Sequence, residues 1–283
     1  IADGDWSSDV CSSDLDVFLP KPSVTPASFD GDRVTLDEMY FAVDDSVQLN
    51  AWHLTQPDAK ATILFYGGNG FYLVQSLGYI QALTDFPVNV FMFDYRGYGR
   101  SGGRPEVQAF KQDALQAYEV VTEQLGVDPS RLIVHGHSLG TFLATHTAAN
   151  REVAGIVLEN PATDVDGWVS SVVPWFVRLF VDLNVDEKLK GESNVADLQK
   201  TNVPLLVVGG EEDNVTSPDM ARDLYQTAPN PEKNLVLIED GGHNRLYERE
   251  AYRSAYETLL DQALRSADST VAASRPTGDA TPK

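Results

Sequence analysis

From Thr62 to Ile238 the chain repeats one pattern, a short and almost wholly apolar run followed by a longer segment with helical spacing. The runs are Thr62–Tyr66, Asn89–Phe93, Leu132–His135, Gly155–Leu158, Leu205–Val208 and Leu235–Ile238. Continuous apolar strands such as Leu205-Leu206-Val207-Val208 belong in a sheet buried on both faces, and helices cover both faces when strands run parallel. The pattern predicts an α/β fold with a mostly parallel central sheet. Met39–Val43 and Val47–His53, joined by Asp44-Asp45-Ser46, read as an antiparallel hairpin at the sheet edge. Helices are predicted over Val107–Leu125, Leu139–Asn150, Pro218–Thr227 and Leu246–Arg265. In the first of these, Ala114, Leu115, Tyr118, Val121, Thr122 and Leu125 form one apolar stripe.

The chemistry-bearing run is Gly136-His137-Ser138-Leu139-Gly140, directly after one predicted strand and directly before a helix. A G-x-S-x-G motif gains meaning in that context, where a sharp turn lifts the serine above the sheet edge. Glycines at 136 and 140 let strand and helix approach closely. A serine hydroxyl needs a base to take its proton and a carboxylate to orient that base, in the chain order serine, acid, histidine. His243, the only histidine beyond residue 146, follows a predicted strand, as does the acidic run Glu211-Glu212-Asp213. Asp213 is the expected acid, with Glu211, Glu212 and Asp240 as neighbours and a turn carboxylate as its plain structural alternative. Oxyanion donors are expected from the backbone N–H groups of Leu139 and Asn69. Asn69 lies in Gly67-Gly68-Asn69-Gly70, a loop that otherwise reads as an ordinary glycine turn. Gly68 and Gly70 are expected beside the substrate.

These residues, with Asp94-Tyr95-Arg96-Gly97-Tyr98-Gly99-Arg100-Ser101, resemble the α/β-hydrolase superfamily. Within it they resemble the group with an HGN-type oxyanion loop and a D-Y-R-G-Y-G-x-S block, over about residues 35–265. Gly67 stands where many members carry histidine. The resemblance implies an α/β-hydrolase fold with a short helical lid and metal-independent, cofactor-free hydrolysis of esters or thioesters. A serine peptidase of the same fold and a non-catalytic scaffold are the alternatives. Serine rather than aspartate at 138 argues against a haloalkane or epoxide hydrolase. The lid position falls at about residues 166–197. Trp168, Trp175 and Phe176 make it apolar, fit either to line an acyl pocket or to pack on the body of the domain.

Composition narrows the partners. With 42 acidic against 21 basic residues and a formal net charge of −21, the chain repels a phosphate backbone, and no nucleic-acid partner is expected. A small-molecule or acyl substrate is. No apolar stretch reaches the roughly 20 residues that span a bilayer. Residues 1–15, around Asp5-Trp6-Ser7-Ser8-Asp9-Val10-Cys11, read as a translated sequencing-library adapter and are set aside from the fold. Cys11 is the one cysteine, so the protein proper is expected to have no thiol nucleophile, disulfide or cysteine metal site. A native N-terminal segment is expected upstream, with membrane association through it and a secreted, periplasmic or membrane-anchored address. Residues 16–34 read as an irregular lead-in and 266–283 as a disordered tail. Oligomeric state is left open by the sequence.

Overall fold

The computed structural model describes residues 24–25, 33–165 and 191–274. The expected lead-in is therefore described only in part. Most of the expected lid, including Trp168, Trp175 and Phe176, lies outside the described residues.

Eight strands form one sheet in the order β1-β2-β4-β3-β5-β6-β7-β8. They are β1 (Thr35–Ala42), β2 (Gln48–Thr55), β3 (Ala61–Tyr66), β4 (Val88–Phe93), β5 (Leu132–His137), β6 (Gly155–Glu159), β7 (Leu205–Gly210) and β8 (Lys233–Ile238). β1 and β2 pair antiparallel, as the hairpin expectation requires, and β2 meets β4 antiparallel. Every other pairing is parallel.

The apolar runs work because each strand alternates between two cores. Ile63, Phe65, Ile133, Leu206 and Val208 face one side, packed with Tyr252, Tyr256 and Leu259 of the last helix. Leu64, Tyr66, Leu132, Val134, Leu205 and Val207 face the other, packed with Ala114, Leu143 and Leu224. The first core is covered by α1 (Leu77–Thr84) and α6 (Glu250–Ser274). The second is covered by α2 (Val107–Glu119), α3 (Gly140–Asn150), α4 (Asn194–Leu198) and α5 (Pro218–Thr227).

Three elements differ from expectation. The helix expected to reach Leu125 changes at Val120 into a wide turn closed by Leu125 N–H donating to the Val120 carbonyl, which leaves both Val120 and Val121 buried. Helix α1 has no sequence-level forecast, because Gly78 near its start depresses helix propensity; that glycine accommodates the Tyr247 hydroxyl. The terminal helix begins as a 3-10 turn at Leu246–Glu248, then runs from Glu250 to Ser274, so helical backbone covers the first half of the expected disordered tail. That stretch is rich in alanine and free of glycine, and the next helix breaker is Pro276. Among the described residues no helix is long and apolar enough to cross a membrane.

Because Leu205 and Leu206 are fully buried in opposite cores, each change to alanine is expected to cost about 2–5 kcal/mol. Urea unfolding of the two single variants checks this; a loss well under about 1 kcal/mol in either contradicts burial of that side chain in its core.

Candidate active site

Strands β3, β5, β6, β7 and β8 lie side by side and parallel, so the loops after them gather at one edge. Ser138 is the first residue past β5, with φ at 51°, in the left-handed region that side chains rarely adopt. Its N–H donates to the Glu159 carbonyl at 2.9 Å, and its own carbonyl accepts from Thr141 N–H at 3.0 Å and Thr141 Oγ1 at 2.6 Å. The glycines make the turn possible. A β-carbon on Gly136 would run into the backbone of Gly140 and Thr141, and one on Gly140 into the carbonyl oxygens of Tyr66 and Gly67. Close approach of α3 to β5 at Gly136, and to the end of β3 at Gly140, thus leaves no room for a side chain at either position.

Ser138 Oγ lies 3.0 Å from His243 Nε2, and His243 Nδ1 lies 2.8 Å from Asp213 Oδ2. A carboxylate only accepts, so Nδ1 carries the proton, which leaves the Nε2 lone pair facing the serine hydroxyl. Of the four acids weighed from sequence, Asp213 alone meets the imidazole. Glu211 pairs with Arg222 and Asp240 with Arg249 at exposed positions, and Glu212 is exposed. Asp213 also closes its own turn, since Oδ1 accepts from Val215 N–H at 2.7 Å and Thr216 N–H at 3.0 Å. The turn reading and the site reading of this residue hold together. Ser217 occupies the N-cap position of α5, although its hydroxyl makes no cap bond.

The glycine loop passes directly over the serine. A β-carbon on Gly68 would lie 3.3 Å from Ser138 Cβ and 2.8 Å from His137 Nδ1. Asn69 and Gly70 follow at the exposed tip, with Tyr98 Oη donating to Asn69 Oδ1 at 3.1 Å. Leu139 stands at the N-cap of α3, the positive end of that helix dipole. The Asp94–Ser101 block buttresses the loop from the β4 side. Asp94 accepts from Leu73 N–H at 2.8 Å and Arg100 N–H at 3.1 Å, and Tyr95 Oη donates to the Gly67 carbonyl at 2.6 Å.

Sequence reasoning passed over a polar layer beneath these groups. The His243 carbonyl accepts from His137 Nε2 at 3.0 Å and Asn160 Nδ2 at 2.8 Å. Burial pushes the His137 imidazole below its ordinary value, so it is neutral and its one proton sits on Nε2. Glu159, fully buried at the end of β6, accepts from Tyr79 at 3.1 Å and Tyr252 at 3.3 Å and lies 3.2 Å from His135 Nε2. Burial works against its charge, but the hydrogen bond from His135, the electrostatic attraction of the His137 and His135 imidazoles and the hydrogen bond from Tyr79 together outweigh burial and hold the carboxyl below the usual carboxylate range. The local signal was Glu159-Asn160 breaking an apolar strand at the sheet's working edge.

The sequence pattern of the serine aminopeptidase S33 family matches residues 57–197 and 189–250. The uncharacterized protein YfhR of Escherichia coli O157:H7 is 30% identical over 220 residues, 75% of each chain. The uncharacterized protein MT2364 of Mycobacterium tuberculosis is 29% identical over 204 residues, 71% of this chain and 69% of the relative. Among solved structures, the Pyrococcus furiosus esterase Pf2001 superposes with a TM-score of 0.66 at 20% identity, over 84% of this chain and 95% of the esterase. Acetyl xylan esterase 1 from Thermoanaerobacterium gives 0.62 at 18%, over 84% and 86%. These structural likenesses are of fold.

A depressed folded-state carboxyl contributes stability that is complete above the unfolded value, near 4.5, and is lost as pH falls through the folded one. Glu159→Gln should therefore be less stable than the parent at pH 7. Its urea midpoint should also decline less steeply below about pH 4.5. Midpoints measured from pH 7 to pH 3 check this; parallel acid limbs contradict an ionised Glu159.

Proposed function

As the chain belongs to the serine aminopeptidase S33 family of α/β hydrolases, we propose that it hydrolyses carboxylic esters or thioesters through an acyl-enzyme on Ser138. One observation carries the reading: the unbroken line from Ser138 Oγ through His243 to Asp213, at a backbone turn that presents the serine above the sheet edge.

His243 Nε2 takes the Ser138 proton as Oγ attacks the substrate carbonyl, and Asp213 stabilises the imidazolium that forms. The carbonyl oxygen becomes an oxyanion. Leu139 N–H, at the start of α3, and Asn69 N–H, in the loop over the serine, are assigned as its donors. Gly68 brings that loop against Ser138, and Gly70, at the exposed tip with φ at 71°, turns the chain; both are assigned to the substrate side of the loop. As the tetrahedral intermediate collapses, His243 returns the proton to the leaving alcohol or thiol. Water then attacks the acyl-enzyme by the same route, with His243 as base, and releases the acid and free Ser138. Trp168, Trp175 and Phe176 are assigned to the acyl side of the pocket on their apolar character alone. A small-molecule or acyl substrate is the proposed ligand, and the mechanism calls on no metal or cofactor group.

The family's description and the fold likeness to the Pyrococcus horikoshii acylaminoacyl peptidase, with a TM-score of 0.61 at 15% identity over 84% of this chain and 43% of the peptidase, favour a second reading. In that reading the same serine cleaves an amide. Nitrophenyl esters of graded chain length, set against aminoacyl nitroanilides, separate the two.

Ester turnover and fluorophosphonate labelling are expected in the parent. Labelling should be absent in Ser138→Ala, and kcat should fall by about 10⁴-fold or more in Ser138→Ala and His243→Ala. In Asp213→Asn a drop of about 10⁴-fold is expected, since a carboxamide can select the wrong imidazole tautomer. Normal labelling of Ser138→Ala would sink the assignment.

A further inference from the structure

Asn160 follows β6 with φ at 47°, 1% exposed, and its polar groups all point at segments that carry the site. Its N–H donates to the Val208 carbonyl at 2.8 Å, extending the β6–β7 ladder. Its Oδ1 accepts from Gly210 N–H at 2.9 Å, three residues before Asp213. The two protons of Nδ2 go to the Gly242 carbonyl at 3.1 Å and the His243 carbonyl at 2.8 Å. Its own carbonyl lies 3.0 Å from Thr216 Oγ1, the hydroxyl that also lies 2.8 Å from Asp213 Oδ2. Directly before it, the Glu159 carbonyl holds Ser138 N–H.

A left-handed backbone at a residue other than glycine is strained and persists only where surrounding structure over-determines it. Asparagine tolerates that region better than most residues, and it is the carboxamide that matches this site. Its single oxygen meets one N–H, and its amino group meets two carbonyls that come from adjacent residues of the histidine loop. Aspartate has the same shape but no donor, and would turn lone pairs toward both carbonyls. Glycine fits the backbone but leaves both carbonyls and the Gly210 N–H without this partner.

We propose that Asn160 is a positioning residue which registers the His243 loop and the Asp213 turn against the end of β6, whose Glu159 carbonyl holds Ser138 N–H. The inference rests on the reading of Ser138, His243 and Asp213 given above. It adds that their alignment is set by a residue touching no substrate atom. The carboxamide acts at the His243 backbone, so its loss tilts the imidazole without removing any group that performs chemistry.

Two variants test this, Asn160→Asp, which keeps the shape, and Asn160→Gly, which keeps the backbone angle. On a nitrophenyl ester, kcat is expected to fall about 10²-fold in both, the size associated with misplacement by about 1 Å, with KM within about threefold of the parent. Rates are referred to protein shown folded by its melting transition, so that unfolded molecules do not count as lost activity. The far-downfield proton resonance of His243 Nδ1–H, bonded to Asp213, should weaken or move upfield in both variants and persist in Ser138→Ala. Parent-like kcat per folded molecule together with an unchanged resonance in either variant overturns the proposal. The resonance reads alignment without turnover. A parent that shows it, loses it on Asn160→Asp and cleaves no ester refutes the hydrolase reading while leaving the positioning role standing.

Discussion

The left-handed turn at Ser138 is the constraint from which the rest of the site follows. A backbone at φ 51° costs on the order of 1 kcal/mol or more for a residue with a side chain, and the fold surrounds it with compensation. The Glu159 carbonyl takes its N–H from one side and Thr141 supplies donors from the other. Gly136 lets the start of α3 close onto β5, and Gly140 lets α3 press against the end of β3 so closely that a methyl group there would meet the Tyr66 and Gly67 carbonyls. That same closeness puts the Gly67–Gly70 loop over the serine. The serine turn and the Gly67–Gly70 loop are thus one packing event, the contact of α3 and β5 with β3.

The order of the sheet turns this into a row. From β3 through β5, β6, β7 and β8 each parallel strand ends at the same edge, and each delivers something to the site: the glycine loop, Ser138, Glu159 with Asn160, Asp213 and His243. Parallel pairing matters because an antiparallel neighbour in that series would send its loop to the opposite edge. The antiparallel strands β1 and β2 lie on the far side of β4, where the Asp94–Ser101 block, including Arg96 held to Asp113, supports the loop from behind.

Ser138, Asp213 and His243 were legible because each lies just past an apolar run, and strand ends can be read from local pattern. From β3 to β8 each strand matches one end of its expected run and extends the other by one or two residues, as in β5, which continues to His137. What the pattern hid was partner choice. Glu159 looks like the polar end of a strand, yet it is a fully buried anion satisfied by two tyrosines and a histidine from distant parts of the chain. Burial pushes both phenols well above their ordinary range, with the neighbouring Glu159 charge adding to it, so both remain donors. No spacing rule encodes a contact between residues 159 and 252. Helix α1 was hidden for a local reason, the glycine at 78.

Gly67 poses the question the sequence raised most sharply, since related loops carry histidine there. A β-carbon at 67 would collide with the ring of Phe71, which packs on Phe65 at a centroid distance of 5.4 Å. The aromatic ring from four residues downstream therefore occupies the volume that a side chain at 67 would enter. The Gly67 carbonyl is anchored by the buried Tyr95 hydroxyl, and Phe71 N–H closes the turn on the Gly68 carbonyl at 3.1 Å. Support for the loop comes from Tyr95 and Phe71 outside its first residue, and the backbone passes beside Ser138. In the proposed mechanism the oxyanion donors are main-chain amides, so that path is what matters, and the histidine is dispensable to it.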